Sequence, residues 1–111
     1  MLRFISESNY FAMNIEKKES GKTGKFFIQE DDDVLADINW LVNDDDNYVI
    51  NHTSVSEKLS GQGIGIKLLD AVVDMARDKN KKVIAGCEFA KVMFKRHEEK
   101  YKDVWEKRDE K

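Results

Sequence analysis

The sequence predicts an α+β (α/β layered) fold, a mostly antiparallel mixed sheet with helices packed beside it. Three observations carry this. Short stretches rich in strand formers, separated by turn signals, fill the first half of the chain. Near Gly65 the apolar spacing changes from two to the helical 3.6. A short, nearly all-apolar segment then follows, as a buried strand reached by a crossover would.

Met13–Lys18 alternates weakly and opens the first strand, and Ser20–Gly24 carries a turn signal. Lys25–Gln29 is rich in strand formers, and the acidic run 30–33 makes the next turn. Val34, Ala36, Ile38, Trp40 and Val42 are spaced to share one face of a third strand, with Asp37 and Asn39 on the other. Asn43–Asn47 forms a polar hairpin loop. In the fourth strand, Tyr48–Val55, the alternation assigns Tyr48, Ile50, His52 and Ser54 to one face. It assigns Val49, Asn51, Thr53 and Val55 to the other. Gly65, Leu68, Leu69, Val72, Val73 and Ala76 then make a helical stripe, which Asn80 stops in a left-handed conformation. Lys82–Cys87 is the fifth strand. Ala90, Met93, Phe94 and His97 suit another helix. In the charged end of the chain, 101–111, only Val104 and Trp105 are expected to pack.

The 111 residues fit one domain, placed at 13–105, with 1–12 as an extension outside the fold and 106–111 as a charged tail. No apolar run approaches the roughly 20 residues of a membrane span. No secretory leader is recognised in MLRFISESNYFA. The net charge of −3, with acidic runs at 30–33 and 44–46, argues against nucleic acid as a partner. A single cysteine, Cys87, cannot form an internal disulfide, which favours a cytoplasmic location. One cysteine and two distant histidines do not make a metal site. A monomer or weak dimer is expected.

The stretch LSGQGIGIKLL, residues 59–69, places three glycines where a helix begins. Glycine is the costliest ordinary residue to order in a helix, so the backbone there has some reason to be bare. One reason is an anion. The first helical N–H groups have no partner inside the helix, and the dipole favours negative charge. The other is a tight strand-to-helix turn. A nucleoside-triphosphate loop is excluded, because Leu68 follows Lys67 where a hydroxyl residue is needed. The dinucleotide fingerprint is excluded by the spacing Gly61-x-Gly63-x-Gly65 and by the antiparallel strands before it.

Here the chain resembles the GNAT acyltransferase superfamily. That family's fourth strand runs into Arg/Gln-x-x-Gly-x-Gly/Ala, which opens a helix and cradles the diphosphate of coenzyme A. This chain has Ser60-Gly61-Gln62-Gly63-Ile64-Gly65, with both glycines in register and serine at the first position. A later family pattern, Asn-x-x-Ala-x-x-Leu-Tyr-x-Lys, is matched from Cys87 to Arg96 by Ala90, Met93 and Arg96. Cys87 stands where asparagine is usual, and Phe94 where a tyrosine often acts as general acid. His52-Thr53-Ser54-Val55 and Cys87-Glu88-Phe89-Ala90 are closest to a short, YjdJ-like branch that lacks the front helices of larger members.

The resemblance implies acetyl-CoA as cofactor and transfer of acetyl to an amine acceptor, which is not identified. The implied cofactor contacts are Val55, Gly61, Gln62, Gly63, Ile64, Gly65, Ile66, Lys67, Phe89 and Phe94. The implied oxyanion donor is main chain near Ser54 and Val55. Acyl transfer needs a base for the amine and a donor for the developing oxyanion. His52 is a candidate base, since a histidine's usual pKa of about 6.5 suits proton transfer near neutrality. A structural histidine is the other reading. Cys87 is read three ways: a small buried hydrophobe, a nucleophile forming an acyl-enzyme once activated by a helix N-terminus or by a neighbouring base, which is His52 if the two strand ends are adjacent, or an acid for the leaving thiolate. Lys91, Lys95 and Arg96 either approach the cofactor's phosphates or form a solvated face. A binding module that holds acetyl-CoA without turnover is the alternative to an enzyme.

Overall fold

A computed structural model describes residues 14–107. The elements are β1 (Glu16–Ser20), β2 (Thr23–Glu30), β3 (Asp33–Val42) and β4 (Tyr48–Val55), one 3-10 turn at Glu57–Leu59, α1 (Ile64–Lys79), β5 (Val83–Ala85), α2 (Glu88–Arg96) and α3 (Glu98–Tyr101). They form one five-stranded sheet in the order β1-β2-β3-β4-β5. The first four strands are antiparallel neighbours, and β5 joins β4 in parallel after the α1 crossover. Met13, expected to open the first strand, lies outside the described residues.

The sheet has one fully packed face. Ile28, Ile38, Trp40, Tyr48, Ile50 and Val83 join the buried side chains of α1, α2 and α3 in a single cluster. Leu68, Leu69, Val72, Val73 and Ala76 are the helical stripe that the periodicity predicts, extended by Ile64 and Met75. Asn80 ends α1 in the left-handed region, φ 58°, donating its N–H to the carbonyls of Ala76 and Arg77. Phe27 and Ile84 are buried on the opposite face, outside that cluster.

Two bulges change what strict alternation assigns. Ile28 pairs with Ala36 and Gln29 with Val34, so Leu35 is an extra residue in β3. Leu35 and Ala36 are consecutive and both buried, while Val34 is exposed rather than on the core face. In β4, Asn39 pairs with His52 and Trp40 with Ile50, so Asn51 is the extra residue. A bulge inverts the alternation beyond it. Thr53 pairs with the buried Ile38 and faces the helices, whereas His52 and Ser54 face away from them. The expected grouping of His52 and Ser54 with Ile50 is therefore corrected.

The end of the chain packs more than its charge implies. Tyr101 is fully buried, its ring 5.0 Å from that of Phe94. Its hydroxyl donates to Asp70 Oδ1 of α1 at 2.7 Å. Burial, then the Asp70 carboxylate, pushes the phenol's pKa well above its usual value. Arg77 grips Asp103 through Nε and Nη2, both at 2.9 Å, and holds its carboxyl below the usual range. Val104 and Glu106 bond the backbone of Val83, so residue 106 is attached to the sheet edge.

Candidate functional site

The candidate site lies where β4 hands over to α1. Ser56 caps the 3-10 turn by accepting from the Lys58 N–H at 3.1 Å, and the chain then reaches Gly61 and Gly63. Both are left-handed, with φ of 80° and 70°, which disfavours a side chain. A Cβ built at either position would meet nothing within 4 Å, so the space outside both is open. Gly63 is the N-cap of α1, and no side chain caps the helix there. Its first turn holds no acidic residue, and Lys67 adds positive charge. The free N–H groups and the positive end of a 16-residue helix therefore face open space.

Gly65 answers to a different constraint. A Cβ there would lie 2.8 Å from Cζ of Phe89, so its bareness lets α1 approach α2 closely. Ile64 is buried and Gln62, Ile66 and Phe89 half-buried, while Lys67 and Val55 are exposed. Phe94 is fully buried, with its ring 5.0 Å from Tyr101 and 5.4 Å from Trp105. It is a core residue and presents no surface to a cofactor at the loop.

β4 outlasts β5. Their pairing covers only Tyr48–Ile50 against Val83–Ala85, and the Gly86 N–H then bonds the Ile50 carbonyl at 2.8 Å. From Asn51 to Val55, β4 runs on without a described strand on that side. The resulting notch opens toward Gly61–Gly65. Cys87 stands at the N-cap of α2, half-buried, and its sulfur lies 3.5 Å from Thr53 Oγ1. Thr53 is the partner that the sequence reading missed. Only the bulge at Asn51 brings it round to the helical face, and no periodicity signals that. His52 is exposed on the other face beside Asn39, so the structure does not pair it with Cys87. Lys95 is exposed and Lys91 half-buried on α2. Among the described residues no group of three or more His, Cys, Asp or Glu is placed to hold a metal, and no helix is long and apolar enough to cross a membrane.

A sheet split beside a glycine-opened helix is the architecture of an acyltransferase domain of the kind that the resemblance implies. The chain belongs to the GCN5-related N-acetyltransferase family, whose profile matches residues 25–104. It is similar to an NMR structure from Staphylococcus aureus described as a GCN5-like N-acetyltransferase, at 43% identity, covering 86% of this chain and 92% of that one, with a TM-score of 0.69. It shares its fold with the ribosomal-protein-alanine N-acetyltransferase of Brucella melitensis biovar Abortus, at 13% identity over 83% of this chain and 67% of that one, TM-score 0.59. It also shares it with a Bacillus anthracis protein described as a streptothricin acetyltransferase and solved with acetyl coenzyme A. There the identity is 15% over 69% of this chain and 47% of that one, TM-score 0.54. A search of curated proteins found no match.

Proposed function

We propose that this protein is an acetyl-CoA-dependent N-acetyltransferase. The carrying observation is the pair Gly61 and Gly63, both left-handed, with open space where each Cβ would stand, at the uncapped start of α1. In this reading the diphosphate rests on the N–H groups of residues 63–66, with Gln62 and Lys67 beside it. The pantetheine arm lies along the free edge of β4 toward Val55, with Phe89 near the loop. The acceptor nitrogen attacks the thioester carbon, a C–N bond forms, the C–S bond breaks, and the thiolate leaves to be protonated. Main chain near Ser54 and Val55 donates to the developing oxyanion. His52, exposed and apart from Cys87, takes the amine's proton, directly or through water.

Cys87 is read as an acid for the leaving thiolate or as a transient acyl carrier, with Thr53 orienting its sulfur. Titrating acetyl-CoA by calorimetry tests the cofactor site, and absence of binding refutes the reading. Intact-mass analysis after acetyl-CoA exposure then separates the Cys87 routes. A gain of one acetyl that disappears in Cys87→Ser supports the carrier, and wild-type turnover by that variant excludes both.

A second reading, an acetyl-CoA-binding module without turnover, is favoured by one observation. Phe94 is buried and has no hydroxyl, and Tyr101, the buried phenol beside it, is committed to Asp70. Release of free coenzyme A with a panel of amines decides against the module, and its absence with cofactor bound decides for it.

A further inference from the structure

The sheet face turned away from the helices carries two lysines side by side at its β1 edge. Lys18 of β1 stands directly opposite Lys25 of β2. Like charges in a directly opposed cross-strand pair are destabilising. The same register row continues through Asn39 of β3 to His52 of β4, and no acid stands in it. Lys18 is exposed and makes no hydrogen bond or ion pair with another described residue. Lys25 leans over the Phe27 ring, its ammonium 5.2 Å from the centroid.

Lys18, Lys25 and Asn39 line a trough of about 450 Å³ across the sheet, shared with Glu19, Ser20, Thr23 and the bulged Asn51, and His52 lies just beyond its β4 end. Its β1–β2 end carries Lys18 and Lys25, with Glu19 in the lining paired to Lys17, and it is amide-lined where it nears β4. Asp37 lies on the same face, two residues along β3 from Asn39. One of its carboxylate oxygens is buried without a hydrogen-bond partner among the described residues. An anion between the lysines would relieve their repulsion, and Asp37 and His52, which lie on the same face beyond the trough's lining, would face an amine that extends past its β4 end. Two strand spacings, about 10 Å, separate Lys25 from His52.

We propose that the trough is an anion subsite for the acceptor, which is a small primary amine bearing a carboxylate or phosphate about 10 Å from its nitrogen. The assignment of the amine as acetyl acceptor rests on the function proposed above. The subsite itself does not.

The test uses three compounds of matched reach, 8-aminooctanoate, 6-aminohexyl phosphate and 8-aminooctanamide. Each is titrated into the ¹⁵N-labelled full chain and followed through the amides of Lys18, Lys25 and Asn39. The expected result is that the better anionic compound binds about tenfold tighter than the amide, as two exposed ion pairs allow. The tighter of the two anions identifies the group that the subsite takes. Lys18→Ala combined with Lys25→Ala should erase the discrimination. A Lys18→Gln, Lys25→Gln pair serves if the alanine pair does not fold. Equal binding of the amide, or discrimination surviving loss of both lysines, overturns the subsite. The same series run with acetyl-CoA keeps the two claims apart. Turnover without discrimination overturns the trough and leaves the transferase, whereas discriminating binding, with no coenzyme A released by any amine of the panel, leaves the trough and refutes the transferase.

Discussion

Replacing Gly63 by alanine adds one methyl group at φ 70°, ψ 23°. Nothing lies within 4 Å of the new Cβ, so no packing clash enters and the cost is backbone strain alone. Left-handed residues with a Cβ cost roughly 1–2 kcal/mol. Alanine also restricts the unfolded chain, which offsets about 0.4–1 kcal/mol of that. The net loss is about 1 kcal/mol, or about 4–8 °C in melting temperature for a domain of this size. Gly63→Asn should lose less, because asparagine enters the left-handed region readily and also caps helices.

Affinity should follow a different order from stability. Both variants put a Cβ at the mouth of the loop, where it holds a diphosphate away from the N–H groups. A hydrogen bond to a charged group contributes about 1.5–3 kcal/mol, so losing one weakens acetyl-CoA binding about tenfold or more. Urea unfolding measures the first quantity and calorimetric titration the second. Gly63→Asn is the decisive variant, being near wild type in stability yet poor in binding. If it binds acetyl-CoA as tightly as the wild type, these amides do not cradle the cofactor.

Three further outcomes follow from the packing. Gly65→Ala should destabilise by about 1–3 kcal/mol, because its Cβ meets the Phe89 ring, and adding Phe89→Leu should recover most of that in a double-mutant cycle by urea denaturation. Tyr101→Phe should cost about 1 kcal/mol at neutral pH by loss of the bond to Asp70. Since the folded state raises this phenol's pKa, its contribution is complete below the unfolded value near 10 and fades above it, so the variant's stability should fall less steeply in alkali. Arg77→Ala should lower the melting temperature at pH 7 but approach the wild-type curve below about pH 4. The Asp103 carboxyl, held low by Arg77, stabilises above its unfolded pKa and loses that effect as pH falls through its folded one.

The order of elements was legible because it rests on local chemistry. The hairpin turns carry Gly21, Asp31 and Asp46, all with positive φ, and Asn80 stops α1 in the same way. The glycine loop was legible as a place, but not the division of labour within it. That Gly61 and Gly63 face open space while Gly65 accommodates Phe89 depends on where α2 docks. Tyr101 was missed because Lys100, Lys102 and Asp103 surround it in sequence. Its burial comes from Phe94 on the preceding helix and from Asp70 of α1, 31 residues away along the chain. The bulges were illegible for a related reason. Register is settled by what each strand packs against, and Asn51 differs from an ordinary outward asparagine only in having no partner across β3.

That one residue organises both sides of the proposed site. Had β4 kept strict alternation after Ile50, His52 would point at the helices beside Cys87, and Thr53 would lie on the open face. The extra residue reverses this. It gives Cys87 a hydroxyl neighbour at 3.5 Å, which can orient a thiol but is too weak a base to deprotonate it. It also sends the imidazole to the face where Lys18, Lys25, Asn39 and Asp37 are gathered. A thiolate nucleophile needs a base or positive charge against the sulfur; the neighbouring side chain is Thr53, and the positive charge at hand is the N-terminus of α2, where Cys87 is the N-cap. The bulge therefore removes His52 as the base for an acyl-cysteine and leaves the N-terminus of α2 as the group that would activate the sulfur. In the direct attack proposed above, His52 would serve an amine arriving across the sheet, and Cys87 would meet the departing sulfur from the helical side.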